Sequence, residues 1–86
     1  MTIQIEIPEY DPSRRIRYNW EDGFQIAAKS DKETIVLSAN RAGLISLANH
    51  LLNLAQGNIP VGHHMHFDQF TSLGEGSTEL IIEKVS

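Results

Sequence analysis

Three histidines that lie close together, His63, His64 and His66, are the side chains in this sequence best suited to chemistry. Residues two apart in a strand project on the same side, so His64 and His66 could bind one zinc ion together. Such a site needs a third ligand, which Asp68 or His50 could supply. The sequence has no cysteine and no His-x-x-x-His spacing to support it.

The alternative is a strand with one polar and one apolar face. Met65 and Phe67 alternate with the histidines and would face a core, leaving the imidazoles toward solvent. We favour this interpretation and predict no bound metal and no cofactor. A metal-binding protein or metal-dependent enzyme that uses His63, His64 and His66 remains the alternative hypothesis.

Arginines are interleaved with aromatic residues at Arg14, Arg15, Arg17, Tyr18 and Trp20. Nucleic-acid-binding surfaces combine basic side chains with aromatic rings on which bases stack. The hairpin register favoured by the same residues puts the aromatic rings and the arginines on opposite faces. The net charge of −4, from seven basic and eleven acidic residues, also disfavours phosphate binding. We therefore predict no nucleic-acid partner.

Other candidate catalytic groups lack partners. Glu21 and Asp22 belong to a turn, where such residues form local hydrogen bonds, and Glu79 and Glu83 are expected to face solvent from a strand. The Gly-Glu-Gly-Ser segment at 74–77 has no strand, elbow and helix around it to activate a serine. The sequence therefore predicts a protein that is not an enzyme.

The elements that must position these residues begin with two strand signals. Thr2–Ile7 alternates polar and apolar residues and ends at Pro8, which predicts a half-buried strand. Arg15–Trp20 and Phe24–Ala28 predict a hairpin, for which a two-residue loop would put Trp20 opposite Gln25. A three-residue loop with Gly23 in the left-handed conformation separates apolar from polar side chains better. It pairs Trp20 with Phe24, Tyr18 with Ile26, and Ile16 with Ala28.

A fourth strand is predicted over 34–38, after a four-residue turn at Ser30–Glu33 that places Ala28 opposite Ile35 and Ile26 opposite Leu37. Asn40 is a favourable N-cap for a helix over Arg41–Gln56, and Gly57 is a natural C-terminal stop. Helical spacing predicts an apolar stripe formed by Leu44, Leu47, Ala48, Leu51 and Ala55 and widened by Ile45, Leu52 and Leu54.

A short strand over His64–Phe67 and an interior strand over 78–85 complete the pattern, joined by a loop that Phe70 and Leu73 anchor. The predicted order is ββββ-α-ββ. This order favours the α+β class, with a mostly antiparallel sheet of six strands and one amphipathic helix on one face.

Length and composition agree with a single domain over residues 1–86, because 41% hydrophobic and 21% charged residues are ordinary for a globular fold. Met1–Tyr10 has no basic region followed by an apolar run, and no apolar stretch approaches the roughly 20 residues that cross a bilayer. We expect a cytoplasmic protein with no membrane partner.

Three stretches, Ser38–Ala48, Gly62–Asp68 and Leu73–Lys84, together resemble the immunity protein 32 family of small bacterial proteins. These proteins are predicted antidotes of polymorphic toxin systems. The resemblance covers mainly the C-terminal half, residues 38–84. It implies a non-enzymatic protein that binds a cognate toxin domain and occludes it.

If the resemblance holds, the partner-binding candidates are His64, His66, Asp68 and Glu75, which combine ionisable side chains with loop backbone. The structural alternative is that Asp68 and Ser77 cap the long loop by bonding its backbone. A homodimer that pairs through an exposed edge strand such as Thr2–Ile7 is a further possibility.

Overall fold

The computed structural model describes residues 1–14 and 19–86, and within them it shows an α+β protein with one helix and four strands. In chain order these are β1 (Ile26–Asp31), β2 (Thr34–Ala39), α1 (Arg41–Leu54), β3 (His64–Phe67) and β4 (Leu80–Glu83). The strands form two antiparallel pairs, β1–β2 and β3–β4. The α+β class is confirmed, but the predicted six strands are wrong for the described residues, whose order is ββαββ.

The N-terminal segment, predicted as a strand over Thr2–Ile7, is not a strand. Its two ends are held at the two ends of α1. Nη1 of Arg41 lies 3.3 Å from Sδ of Met1, and the side-chain amide of Gln56 donates to the carbonyl of Pro8 at 3.0 Å. The alternating pattern failed as a predictor here because alternation does not by itself supply a neighbouring strand to pair with.

The predicted hairpin before β1 is described only in part. Arg15–Tyr18 lies outside the described residues, so its predicted pairings stay predictions, and Trp20 is not in a strand. The loop geometry agrees with the prediction, because Gly23 has a φ of +74°. Trp20 and Phe24 stack with ring centroids 4.4 Å apart, but neither residue lies in a strand, since β1 begins at Ile26 and not at the predicted Phe24.

The turn between β1 and β2 is shorter than predicted. The two strands extend to Asp31 and Thr34, so Lys32 and Glu33 form a two-residue turn in place of the predicted turn at Ser30–Glu33. The register moves by two residues and keeps the same faces, with Ile26 opposite Ala39 and Ala28 opposite Leu37. The predicted pairs of Ala28 with Ile35 and Ile26 with Leu37 are therefore wrong.

Helix α1 begins as predicted and ends two residues early. The Oδ1 of Asn40 accepts a hydrogen bond from the backbone N–H of Gly43 at 2.8 Å, which confirms the predicted N-cap. The C-cap is Ala55, and Gln56 lies beyond the helix, where its side chain holds the N-terminal segment.

The predicted apolar stripe is not the buried face of α1. Leu47 packs against the core, but Leu44, Ala48, Leu51 and Ala55 are exposed. The buried side is formed by Gly43, Ser46, His50, Asn53 and Leu54. The helix approaches the chain before β1 so closely that a Cβ at Gly43 would overlap the carbonyl oxygen of Gln25. A residue without a side chain is therefore required at position 43, and the polar side chains of Ser46 and Asn53 on the same side form hydrogen bonds.

Strand β3 has the predicted bounds, whereas β4 is shorter than predicted and is not interior. It pairs with β3 alone among the described residues, and Ile81 is 54% exposed. In the loop between these strands Leu73 is buried as predicted, but Phe70 is exposed and does not anchor it. Asp68 organises this loop instead, since its backbone carbonyl accepts from the N–H of Leu73 at 2.9 Å.

One hydrophobic cluster joins β1, the end of α1, β3 and the loop before β4, and its buried members are Ile26, Ala28, Leu54, Ile59, Met65, Phe67 and Leu73. Among the described residues, no helix is long and apolar enough to cross a membrane.

Candidate partner-binding face

The β3–β4 hairpin presents one apolar and one ionisable face. Met65 and Phe67 are buried, while His64 and His66 are exposed on the other side, as the alternation predicts. The antiparallel register places Ile81 opposite His66. We call the outer surface the histidine face and define it by His64, His66, Asp68, Glu79, Ile81 and Glu83.

Two carboxylates converge on His66. Its Nε2 lies 3.2 Å from Oε1 of Glu79 and 3.7 Å from Oδ2 of Asp68. The imidazole and the two carboxylates therefore form one cluster of ionisable side chains at this end of the hairpin. All three side chains are partly exposed, which makes them accessible to a partner.

Asp68 has a structural role as well. Its Oδ1 accepts hydrogen bonds from the N–H of Phe70 and from Oγ1 of Thr71, both at 3.0 Å. The predicted capping role is thus confirmed for Asp68, and its other oxygen faces His66. Ser77 acts differently, because its Oγ accepts from the N–H of Ala28 at 3.2 Å and so ties the loop to β1.

The remaining candidates lie elsewhere. Glu75 is exposed in the loop near β1, where its carbonyl oxygen accepts from Nζ of Lys29 at 3.4 Å. No contact within the described residues connects it to His66. His63 is half-buried and lies edge-on to Tyr10, with ring centroids 6.1 Å apart, so it does not join the other two histidines.

His50, considered as a metal ligand from the sequence, is instead a core residue. Its ring lies edge-on to Trp20 at 4.5 Å and stacks on Phe67 at 6.1 Å between centroids. Burial lowers the pKa of His50 to about 4, because desolvation disfavours the charged imidazolium. His50 and Gly43 are seven residues apart and therefore lie on the same face of α1. This spacing could have indicated the buried face from the sequence, but the leucine pattern pointed to a different face.

No group of three or more His, Cys, Asp or Glu side chains is placed to hold a metal ion within residues 1–14 and 19–86. Nothing in this part of the chain supports the metal alternative. Arg15, Arg17 and Tyr18 of the interleaved stretch lie outside the described residues, and Arg14 lies 3.8 Å from Oδ2 of Asp11.

A shallow groove of about 700 Å³ lies between the start of β1, the end of β2 and residues 72–74. Its lining consists of apolar and uncharged polar residues, among them Phe24, Gln25 and Asn40, without a histidine or a carboxylate. The groove therefore offers no ionisable side chain, whereas the histidine face brings His66, Asp68 and Glu79 together.

Fold and surface together define a small α+β protein that exposes an ionisable strand face. The family model of immunity protein 32 matches residues 34–85, more than half of the chain, so the chain belongs to the immunity protein 32 family. The matched part begins at the first residue of β2 and contains the whole histidine face. No curated protein and no solved structure matches the chain significantly.

Proposed function

We propose that this protein is a non-enzymatic bacterial immunity protein that binds a cognate toxin domain of a polymorphic toxin system and occludes it. The observation that carries the proposal is the family match over residues 34–85. Protection of the producing cell would take place in the cytoplasm, where an incoming toxin domain would act.

The histidine face is the surface that we assign to the toxin. It holds three carboxylates, from Asp68, Glu79 and Glu83, and two imidazoles, but no lysine or arginine. The neighbouring Lys84 points away, because its Nζ donates to the carbonyls of Gln56 at 2.6 Å and Ile59 at 2.9 Å. A surface of this charge is complementary to a basic patch on the partner.

The exposed Ile81 gives the same surface an apolar centre. Interfaces place apolar side chains at the middle and charged ones at the rim, where water remains accessible. Ile81 lies on β4 between the positions of Glu79 and Glu83, which matches this arrangement. Occlusion then requires no chemistry from the immunity protein, since covering the substrate-binding surface of the toxin is sufficient.

The test is co-expression of the chain with the toxin domain encoded beside its gene. We expect the pair to copurify, and growth to be restored in cells that make the toxin. The variant Glu79→Lys/Glu83→Lys should weaken binding by about tenfold or more, because it reverses the charge of the histidine face.

The matched control is Glu6→Lys/Glu9→Lys, which makes the same change in net charge on the exposed N-terminal segment. It should leave affinity within about twofold of the wild type. Failure to copurify together with failure to protect would overturn the proposal. Equal binding by the two double variants would remove the histidine face from it.

A further inference from the structure

Strand β1 is covered along both of its edges. One edge pairs with β2. On the other edge, the carbonyls of Ile26 and Ala28 accept from the N–H groups of Gly74 at 2.8 Å and Thr78 at 2.7 Å. Together with the N–H of Ala28, which donates to Oγ of Ser77, the outward backbone groups in the middle of this strand are therefore satisfied within the chain.

Strand β2 is covered along one edge only within the described residues. The backbone bond from Asn40 N–H to the carbonyl of Gln25, at 3.0 Å, fixes the phase of the ladder. Even-numbered residues of β2 therefore bond to β1, and Ile35 and Leu37 direct their N–H and C=O groups outward. No described residue forms a hydrogen bond with these outward groups.

The side chains of β2 are unusually apolar for an open edge. Ile35 is 69% exposed, Val36 50% and Leu37 37%, so apolar residues are exposed on both faces of the same strand. Natural edge strands carry charges, prolines or bulges that prevent pairing with another chain. The middle of β2 carries none of these, which makes it a template for an added strand.

We infer that a second copy of this chain pairs with β2, antiparallel and around a twofold axis that passes beside Val36. This inference goes beyond the proposed function and does not depend on it. In this register Ile35 lies opposite Leu37 of the second copy, and Leu37 opposite its Ile35. The outward backbone groups of both strands then meet, as an isologous interface requires.

The same register pairs the apolar side chains. Ile35 and Leu37 of both copies gather on one face, and the two Val36 side chains meet on the other. Each exposed apolar residue of β2 thus gains an apolar neighbour. A slip by one residue would place outward-facing groups opposite inward-facing ones, which the alternation of the ladder excludes. Among the registers that remain, the one centred on Val36 gives Ile35, Val36 and Leu37 all an apolar partner from this same run of residues.

Charge complementarity also favours a second copy. In this register the tip of the β1–β2 hairpin, Asp31–Glu33, lies at the end of the second copy's β2, after which Arg41 begins its α1. The tip carries a net charge of −1, since Lys32 offsets only one of the two carboxylates. No ion pair connects Arg41 to a carboxylate within the described residues. Twofold symmetry makes this attraction occur twice.

Sedimentation of the purified chain over a wide dilution series, without any toxin, tests the inference. We expect a reversible monomer–dimer equilibrium. The substitution Ile35→Lys should raise the dissociation constant by about tenfold or more, because it places a charge in the pairing edge. The matched control is Val61→Lys, which changes a 65% exposed valine outside any strand and should leave dimerisation unchanged.

A cysteine substitution tests the register. The chain has no cysteine, and Val36 should face its symmetry mate as a non-hydrogen-bonded pair with Cα atoms about 4.5 Å apart, a separation that a disulfide can span. Val36→Cys should therefore form a disulfide-linked dimer under mild oxidation, whereas Val61→Cys should remain monomeric.

Three results would overturn the inference. The first is a wild-type chain that stays monomeric at every concentration. The second is a dimer that Ile35→Lys leaves intact. The third is a monomeric chain whose toxin binding is lost on Ile35→Lys, which would make the toxin the occupant of β2. Because the dimer assay contains no toxin, its failure leaves the proposed function standing.

Discussion

The two hairpins of this protein relate side-chain pattern to burial in different ways. In β3–β4 the apolar residues Met65 and Phe67 are buried and the histidines between them are exposed. In β1–β2, three consecutive apolar residues of β2, from Ile35 to Leu37, are exposed. Strand β3 of the β3–β4 hairpin buries its apolar residues in the core of the protein. The β1–β2 hairpin leaves apolar surface on β2 that the described part of the chain does not cover.

This difference separates two uses of apolar side chains. Those of β3 stabilise the fold, because they are removed from water when the chain folds. Those of β2 gain little on folding, and they can gain on association instead. If the comparison is correct, equal truncations in the two hairpins should have very unequal effects on stability.

The largest expected effect is the contrast between Met65→Ala and Ile35→Ala. Loss of the buried Met65 side chain should lower the free energy of unfolding by about 3 kcal/mol. Loss of the exposed Ile35 side chain should change it by less than about 0.5 kcal/mol in dilute, monomeric protein. Urea unfolding followed by the fluorescence of Trp20 measures both. Similar losses in the two variants would break the comparison.

The second expected effect concerns His50, whose ring contacts both Trp20, in the chain before β1, and Phe67 of β3. Its folded pKa, about 4, is below the unfolded value near 6.5, so between these pH values the unfolded chain binds a proton that the folded chain does not. Stability contributed by neutral His50 should be complete above pH 6.5 and lost as pH falls toward 4. The loss should reach up to about 3 kcal/mol.

Unfolding measured at a series of pH values checks this expectation, with His50→Leu as the control that removes the titrating group. The control should flatten the curve between pH 6.5 and 4. If the wild type and His50→Leu lose stability in parallel, burial of His50 is not the cause.

The third expected effect is that of Gly43→Ala, where α1 approaches the chain that leads into β1. The new methyl group would overlap the carbonyl oxygen of Gln25 and lie 3.2 Å from Cβ of Ala39. Alanine favours helices by about 1 kcal/mol over glycine, but the clash should reverse the sign and cost about 2 kcal/mol. The control Gly57→Ala has open space around its Cβ and should be nearly neutral. A stabilising Gly43→Ala would show that the helix can move away from Gln25.

The features that could be predicted from the sequence depend on neighbours along the chain. The bounds and faces of β3 follow from a period of two, and the N-cap at Asn40 follows from a side chain that reaches the N–H of Gly43 three residues on. Left-handed Gly23 follows from the alternation on either side of it. Each of these depends on a few consecutive residues, so local propensity was sufficient.

The features that could not be predicted depend on tertiary contacts. Helical periodicity predicts that the leucine stripe of α1 is buried. The helix instead buries the side that carries Gly43 and Ser46, because it lies so close to Gln25 that position 43 cannot hold a side chain. At the candidate site the shared side of His64 and His66 was predictable. The meeting of His66 with Glu79 was not, because the β3–β4 register and the intervening loop bring them together.

The smallest expected effect is at the turn between β1 and β2. Lys32 has a φ of +54°, a conformation that is costly for a residue with a side chain and readily adopted by glycine. Lys32→Gly should therefore raise the free energy of unfolding by about 0.5 kcal/mol, since relief of strain outweighs the added flexibility of the unfolded chain. Glu33→Gly, at a neighbouring position without positive φ, should lower it. Urea midpoints of the two variants decide the matter. A destabilising Lys32→Gly would show that the side chain of Lys32 stabilises this turn. The stability of the β1–β2 hairpin would then depend more on the contacts that cover its strands.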